Sequence, residues 1–147
     1  MKNELIQFRE LFDKFPHLAI LHIDNGCSDI KSELLSIIED LDGEFIYKDI
    51  SDINPLKFRP KNREFEYALI SDCLHLIDDK QKFITSVYHS LENSAFIILL
   101  SRKGNMEVGE MIELLDECNF RAVNDIDIFE EYDLVMAKKL HMWGAGQ

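Results

Sequence analysis

At 147 residues, 46% apolar and 30% charged, the chain has the length and composition of one globular domain that buries its core without staples. A net charge of −12 repels phosphate backbones and anionic lipid, so nucleic-acid and membrane-surface binding are disfavoured, and a small-molecule or protein partner is favoured by elimination. Cys27, Cys73 and Cys118 are too few and too scattered for a disulfide framework, and without a CxxC or HxxxH pair a structural zinc site is not expected.

In chain order, Leu5, Phe8, Leu11, Phe12 and Phe15 form one apolar stripe, which predicts a helix over residues 4–15 that Pro16 ends. This opening segment has no uninterrupted apolar core and no small-residue cleavage site, so it does not read as a signal peptide and a cytoplasmic protein is expected. No apolar run approaches the roughly 20 residues that span a bilayer. Leu18–Ile23 reads as a buried strand running into Asp24-Asn25-Gly26. Ser28 or Asp29 is then expected to cap a helix carrying Ile30, Leu34, Leu35, Ile37, Ile38 and Leu41, with Asp42-Gly43 as its stop.

Glu44–Lys48 is a second strand ending at Asp49. Ser51–Glu64 is irregular, with Pro55, Pro60 and four basic residues, Lys57, Arg59, Lys61 and Arg63. Tyr67–Ile70 is a third strand, Asp78 starts a helix, and Ala95–Leu100 is a fourth strand buried on both faces. A helix over Glu107–Cys118 leads through Asn119-Phe120 to a strand within Arg121–Phe129 and a last one at Asp133–Lys138. Residues 140–147 form a tail with the only tryptophan, Trp143, which suits covering a crevice, meeting a partner or capping the sheet edge. Strands alternating with helices imply a largely parallel sheet covered on both faces. The last two strands are joined by too few residues for a parallel crossover and must therefore be antiparallel.

A parallel α/β sheet closing in an antiparallel hairpin resembles the class I S-adenosylmethionine-dependent methyltransferases, over roughly Leu18 to Lys139. The best segment is Phe65–Lys103, a strand, a short Leu-His turn, an acidic helix start and a second strand; Asn119-Phe120 stands where many members have Gly-Phe. The resemblance implies one domain over residues 1–147, with a helix in 1–16, a three-layer Rossmann-like sheet and the family's third strand unit trimmed or absent at Ser51–Glu64. It implies a cofactor at the carboxyl ends of the first strands, the general location for ligands in open α/β sheets.

Asp24 and Gly26 match the family's acidic residue and first glycine, whereas Ser28 replaces the second glycine. Asp49 stands where a carboxylate accepts from two ribose hydroxyls. Ser71, Asp72 and Cys73 fall where members line the transfer site, and Asp72 or His75 is the candidate general base. Each position has a structural alternative: a tight turn for Asp24 and Gly26, a strand-end cap for Asp49, loop hydrogen bonding for Asp72 and His75. Cys27, Cys73 and His75 make a conceivable metal or redox cluster, against which simple buried packing is preferred. The basic loop reads as a solvated surface in preference to an anion site. Two functions follow: a methyltransferase using S-adenosylmethionine on a small molecule, or a domain that has lost catalysis and serves as a binding or interaction module, with a homo-oligomer open in either case.

Overall fold

The computed structural model describes residues 2–12, 18–26, 29–41, 43–52 and 64–140. Its elements are α1 (Lys2–Arg9), β1 (Leu18–Asp24), α2 (Lys31–Asp40), β2 (Gly43–Asp49), β3 (Phe65–Ser71), α3 (Lys80–Ser90), β4 (Leu91–Arg102), α4 (Val108–Glu117), β5 (Arg121–Asp125) and β6 (Tyr132–Lys138). Short 3-10 turns at Ile50–Asp52 and Leu74–Leu76 follow β2 and β3.

The strands form one sheet in the order β2-β1-β3-β4-β6-β5. The first four are parallel, while β6 runs antiparallel to both β4 and β5. Alternation of side chains along each strand supplies two apolar faces. On one face Leu18, Ile20, Tyr67, Leu69, Ile98 and Leu100 pack against α1, the turn that follows it and α2 through Phe8, Phe12, Leu34 and Ile38. On the other, Leu21, Ile23, Ala68, Ile70, Ile97 and Leu99 pack against α3 and α4 through Phe83, Val87, Met111 and Leu115. Each such fully buried aliphatic or aromatic side chain contributes about 1.5–3 kcal/mol of transfer free energy. The outcome is the expected three-layer α/β fold, mostly parallel with an antiparallel hairpin. Among the described residues no strand lies outside β2; residues 53–63, on which the expectation of a trimmed third strand unit falls, lie outside the described residues.

The differences from the sequence expectation have local causes. α1 ends at Arg9, although Phe12 beyond it is still buried; Phe15 and Pro16 lie outside the described residues. Asp29 does not cap α2: the N-cap is Ile30, without a side-chain bond, and the Asp29 carboxylate instead accepts from Arg102 Nη2 at 2.7 Å; Ser28 lies outside the described residues. Asp79, not Asp78, starts α3, its Oδ1 accepting from the Lys82 N–H at 3.0 Å. β4 begins at Leu91, four residues early, because its first turn pairs Leu91 with Phe65. β5 stops at Asp125; a register irregularity between Arg121 and Asn124, with Ala122 at φ 54°, limits its pairing.

The Asn119-Phe120 step has a clear physical basis. Asn119 takes φ 74° immediately after α4, and the Phe120 N–H donates to the Leu115 carbonyl at 3.0 Å, closing the helix in a Schellman arrangement. Asn is among the few side chains that tolerate this left-handed conformation. It therefore does the work of a glycine here and delivers Phe120 fully buried into the core.

Candidate functional site

The carboxyl ends of β1, β2 and β3 finish level. Asp24 is in register with Asp49 on one side and with Ser71 on the other. Register partners in a parallel sheet share a face, so these three side chains rise from the α1/α2 face. One step back along the strands, His22 is in register with Tyr47 and Leu69. The sequence expectations Asp24, Asp49 and Ser71 are thus brought together, and His22 and Tyr47 join them beneath.

Asp24 is fully buried and its Oδ1 accepts from the Tyr47 hydroxyl at 2.5 Å. His22 Nε2 lies 3.7 Å from Asp24 Oδ2, outside hydrogen-bond reach, and both side chains are inaccessible to solvent. Asp24 Oδ2, both His22 ring nitrogens and Ser71 Oγ are buried without a hydrogen-bond partner among the described residues. Buried polar atoms are nearly always paired, so four of them at one strand end mark a place where packing alone did not choose the residues. Burial holds the Asp24 carboxyl above its usual range, with the Tyr47 hydrogen bond and the Lys31 ammonium acting in the opposite direction. Burial, assisted by Lys31, pushes His22 down to about 4, so the ring is a neutral imidazole at physiological pH. Lys31, in the first turn of α2, also places its Nζ 5.2 Å from the centroid of the Tyr47 ring.

Asp49 is a different kind of carboxylate. It is half-exposed, and its Oδ1 accepts from both the backbone N–H and the hydroxyl of Ser51 at 3.0 Å. Hydrogen bonds from Ser51, and a further one from the Gly26 N–H, keep it below the ordinary carboxylate range and therefore ionised. Gly26 is needed here for close approach: a β-carbon on it would stand 1.9 Å from Asp49 Oδ2. Thus Asp24, Gly26 and Asp49 form one unit across two strand ends, a relation that the sequence expectation assigned to them separately.

Asp72 follows directly on β3 at φ 51°. Its N–H donates to the Leu100 carbonyl at 2.6 Å, and its Oδ1 accepts from the Arg102 N–H and from Asn105 Nδ2, each at 3.1 Å. This carboxylate ties the end of β3 to the end of β4. His75 sits half-exposed on the following 3-10 turn, with Nδ1 buried and unpartnered among the described residues. No described hydrogen bond links it to Asp24 or Asp72. Cys73 is fully buried, its Sγ 3.8 Å from the Ile23 carbonyl, and burial raises its thiol far above the reactive range. Cys118 is likewise buried, at the end of α4. Cys27, Ser28, the basic residues at 57–63 and Trp143 lie outside the described residues. Among the described residues no three His, Cys, Asp or Glu side chains are grouped so as to hold a metal ion.

Sequence reasoning missed His22 and Tyr47. The available signal was the period of two: each stands two residues before a candidate carboxylate, on the same face of its strand. A cavity of about 400 Å³ opens at the opposite end of the sheet, lined by Ala19, Glu44, Ile46 and Phe65 among others. It lies at the amino ends of the strands, where open α/β sheets do not place their ligand sites.

No family model matches the chain, and no curated protein matches it in sequence. Among solved structures, an S-adenosylmethionine-dependent methyltransferase from Aquifex aeolicus superposes with a TM-score of 0.75 at 10% identity, covering 92% of this chain and 89% of that one. The phosphoethanolamine N-methyltransferase 2 of Haemonchus contortus, solved with phosphomonomethylethanolamine and S-adenosylhomocysteine, gives a TM-score of 0.72 at 10% identity over 95% of this chain and 53% of that one. The CurJ carbon methyltransferase gives 0.70 at 11% identity over 93% and 52%. The chain therefore spans about half the length of the latter two. At this level of identity the likeness establishes the fold, which is that of class I methyltransferases. Among the described residues no helix is long and apolar enough to cross a membrane.

Proposed function

We propose that the chain binds S-adenosylmethionine at the carboxyl ends of β1 and β2 and transfers its methyl group to a small molecule. The observation that carries this reading is the Asp24–Gly26–Asp49 unit: two carboxylates in register, with a glycine held clear beneath one of them. The residues suit the cofactor's polar groups. Asp49, ionised and half-exposed, accepts from the two ribose hydroxyls. Asp24, fixed by Tyr47 and with Oδ2 unpartnered among the described residues, faces the cationic part, and Ser71 and Asp72 complete the wall at the end of β3. When bound, the sulfonium supplies an electrophilic methyl group.

The chain's own contribution is then mainly to position an acceptor in line and to exclude water, which demands little acid–base chemistry. Where the acceptor must lose a proton, His75 is the better candidate, because Asp72 commits Oδ1 to the backbone of Arg102 and to Asn105. The second reading, a domain without catalysis that serves as an interaction module, is favoured by one observation: Phe45 and Ile46 are exposed on the edge strand of the sheet.

The test is calorimetric titration of the protein with S-adenosylmethionine and S-adenosylhomocysteine. Saturable binding is expected, weakened at least about tenfold in Asp49→Ala. A flat titration of folded protein at millimolar cofactor would sink the proposal and leave the interaction module as the surviving reading.

A further inference from the structure

β2 uses one of its two edges to pair with β1, and among the described residues nothing pairs with the other. At seven residues it is a full-length strand, and an open edge of that length is a template for another strand. Phe45 and Ile46 stand 37% and 41% exposed on it, one on each face. Natural edge strands are blunted by prolines, bulges or charged side chains, and the charges deter a second strand only where they meet no opposite charge on it. β2 contains no proline, its pairing with β1 is unbroken from Gly43 to Asp49, and its two oppositely charged flanks, Glu44 and Lys48, are exposed and make no ion pair among the described residues.

The order of residues along β2 identifies the partner. Gly43-Glu44-Phe45-Ile46-Tyr47-Lys48-Asp49 is complementary to its own reverse about Ile46. We propose that two copies of this chain associate through their β2 strands, antiparallel and with a twofold axis at Ile46, giving one sheet continuous across both protomers. In that register Glu44 of each copy faces Lys48 of the other, so two ion pairs form on the α3/α4 face, where the register with Ala19 and Ile23 places both residues. Between these ion pairs, on the same face, Ile46 meets Ile46 on the axis, and on the opposite face each Phe45 meets a Tyr47. Directly opposed opposite charges and aromatic pairs are the arrangements that stabilise antiparallel strands. Neighbouring registers do not share this property: a twofold at Phe45 sets Glu44 against Ile46, and one at Tyr47 sets Ile46 against Lys48. Gly43, which faces Asp49 in the proposed register, carries no side chain to cover that carboxylate. The twofold self-complementarity matches the closed symmetry that most homo-oligomers adopt.

The experiment is sedimentation velocity on the full chain over a concentration series, for the wild type, Glu44→Lys, Lys48→Glu and the double reversal. A wild-type dimer is expected. Each single reversal places like charges opposite one another and raises the dissociation constant at least about tenfold. The double reversal restores both ion pairs and returns it to the wild-type value. Circular dichroism and melting curves on all four proteins check that they fold, and slowing of amide exchange at Phe45–Lys48 with rising concentration tests the wild type without any substitution. A wild type that stays monomeric, a dimer indifferent to the single reversals, or a double reversal that fails to recover would each overturn the proposal. Monomeric behaviour would assign the edge to a different occupant.

Discussion

In the half of the sheet made by β4, β6 and β5, the inward side chains are Ile97, Leu99, Val135 and Ala137 on one face and Ile98, Leu100 and Leu134 on the other, all buried. The one lysine this half buries, Lys139, donates to the carbonyls of Tyr88 at 3.0 Å and Leu91 at 2.8 Å. At the carboxyl ends of β1–β3 the same sheet buries His22, Asp24 and Ser71, and leaves four of their polar atoms without partners among the described residues. One region follows the rules of packing and polar satisfaction; the other breaks them at the strand ends to which we assign the proposed cofactor. Local rules are broken at functional sites because residues there are chosen for what they bind.

The sharpest way to break this comparison is to truncate one region and make the other apolar. Leu115→Ala, in the fully buried interface of α4, should cost about 3 kcal/mol in urea unfolding. His22→Phe, which removes two unpartnered buried nitrogens, should instead leave stability unchanged or raise it by up to about 1 kcal/mol. Equal losses in the two variants would show that the polar cluster is as well packed as the hairpin half.

The pH dependence sharpens it next. His22 is held down to about 4 in the fold from an unfolded value of 6.5, so between these the unfolded chain binds the extra proton. Stability due to His22 is complete above pH 6.5 and is lost as the pH falls towards 4, by an amount on the order of 2–3 kcal/mol. Asp24, whose carboxyl is raised, works in the opposite sense, losing stability as the pH climbs past the unfolded 3.8. Unfolding titrations should show the His22 slope in the wild type and not in His22→Phe.

A smaller effect on stability is expected for Gly26→Ala. Its new β-carbon would stand 1.9 Å from Asp49 Oδ2 and 2.7 Å from Cγ, so the carboxylate must swing out of its hydrogen bonds, at a cost of about 1 kcal/mol. Affinity for S-adenosylhomocysteine should also fall about tenfold, close to 1.4 kcal/mol, as in Asp49→Ala. Smallest of all, Asn119→Gly at φ 74° should stabilise the hairpin half by less than about 1 kcal/mol in the same unfolding assay.

What was legible in the sequence is the part governed by local pattern. The period-two and period-3.6 alternations gave the order of strands and helices, and the short link before β6 required an antiparallel ending. Asp24 and Asp49 were recognisable because each stands at the end of an apolar strand. The pairing of His22 with Tyr47 was not legible, because it depends on register between strands separated by a whole helix. Nor was the engagement of Asp29 by Arg102 from β4 in place of a cap, or the second role of Asp72, which is set by Asn105 in the turn beyond β4.

The measurement that bears most directly on the central claim is an amide chemical-shift titration of the isotope-labelled protein with S-adenosylhomocysteine. The account predicts saturable shifts concentrated at Gly26, Asp49, Ser51, Ser71 and Asp72, with the amides of Ile97–Leu99 and Leu134–Ala137 unmoved. Shifts centred on the hairpin half, at the amino ends of the strands, or nowhere at all would contradict it.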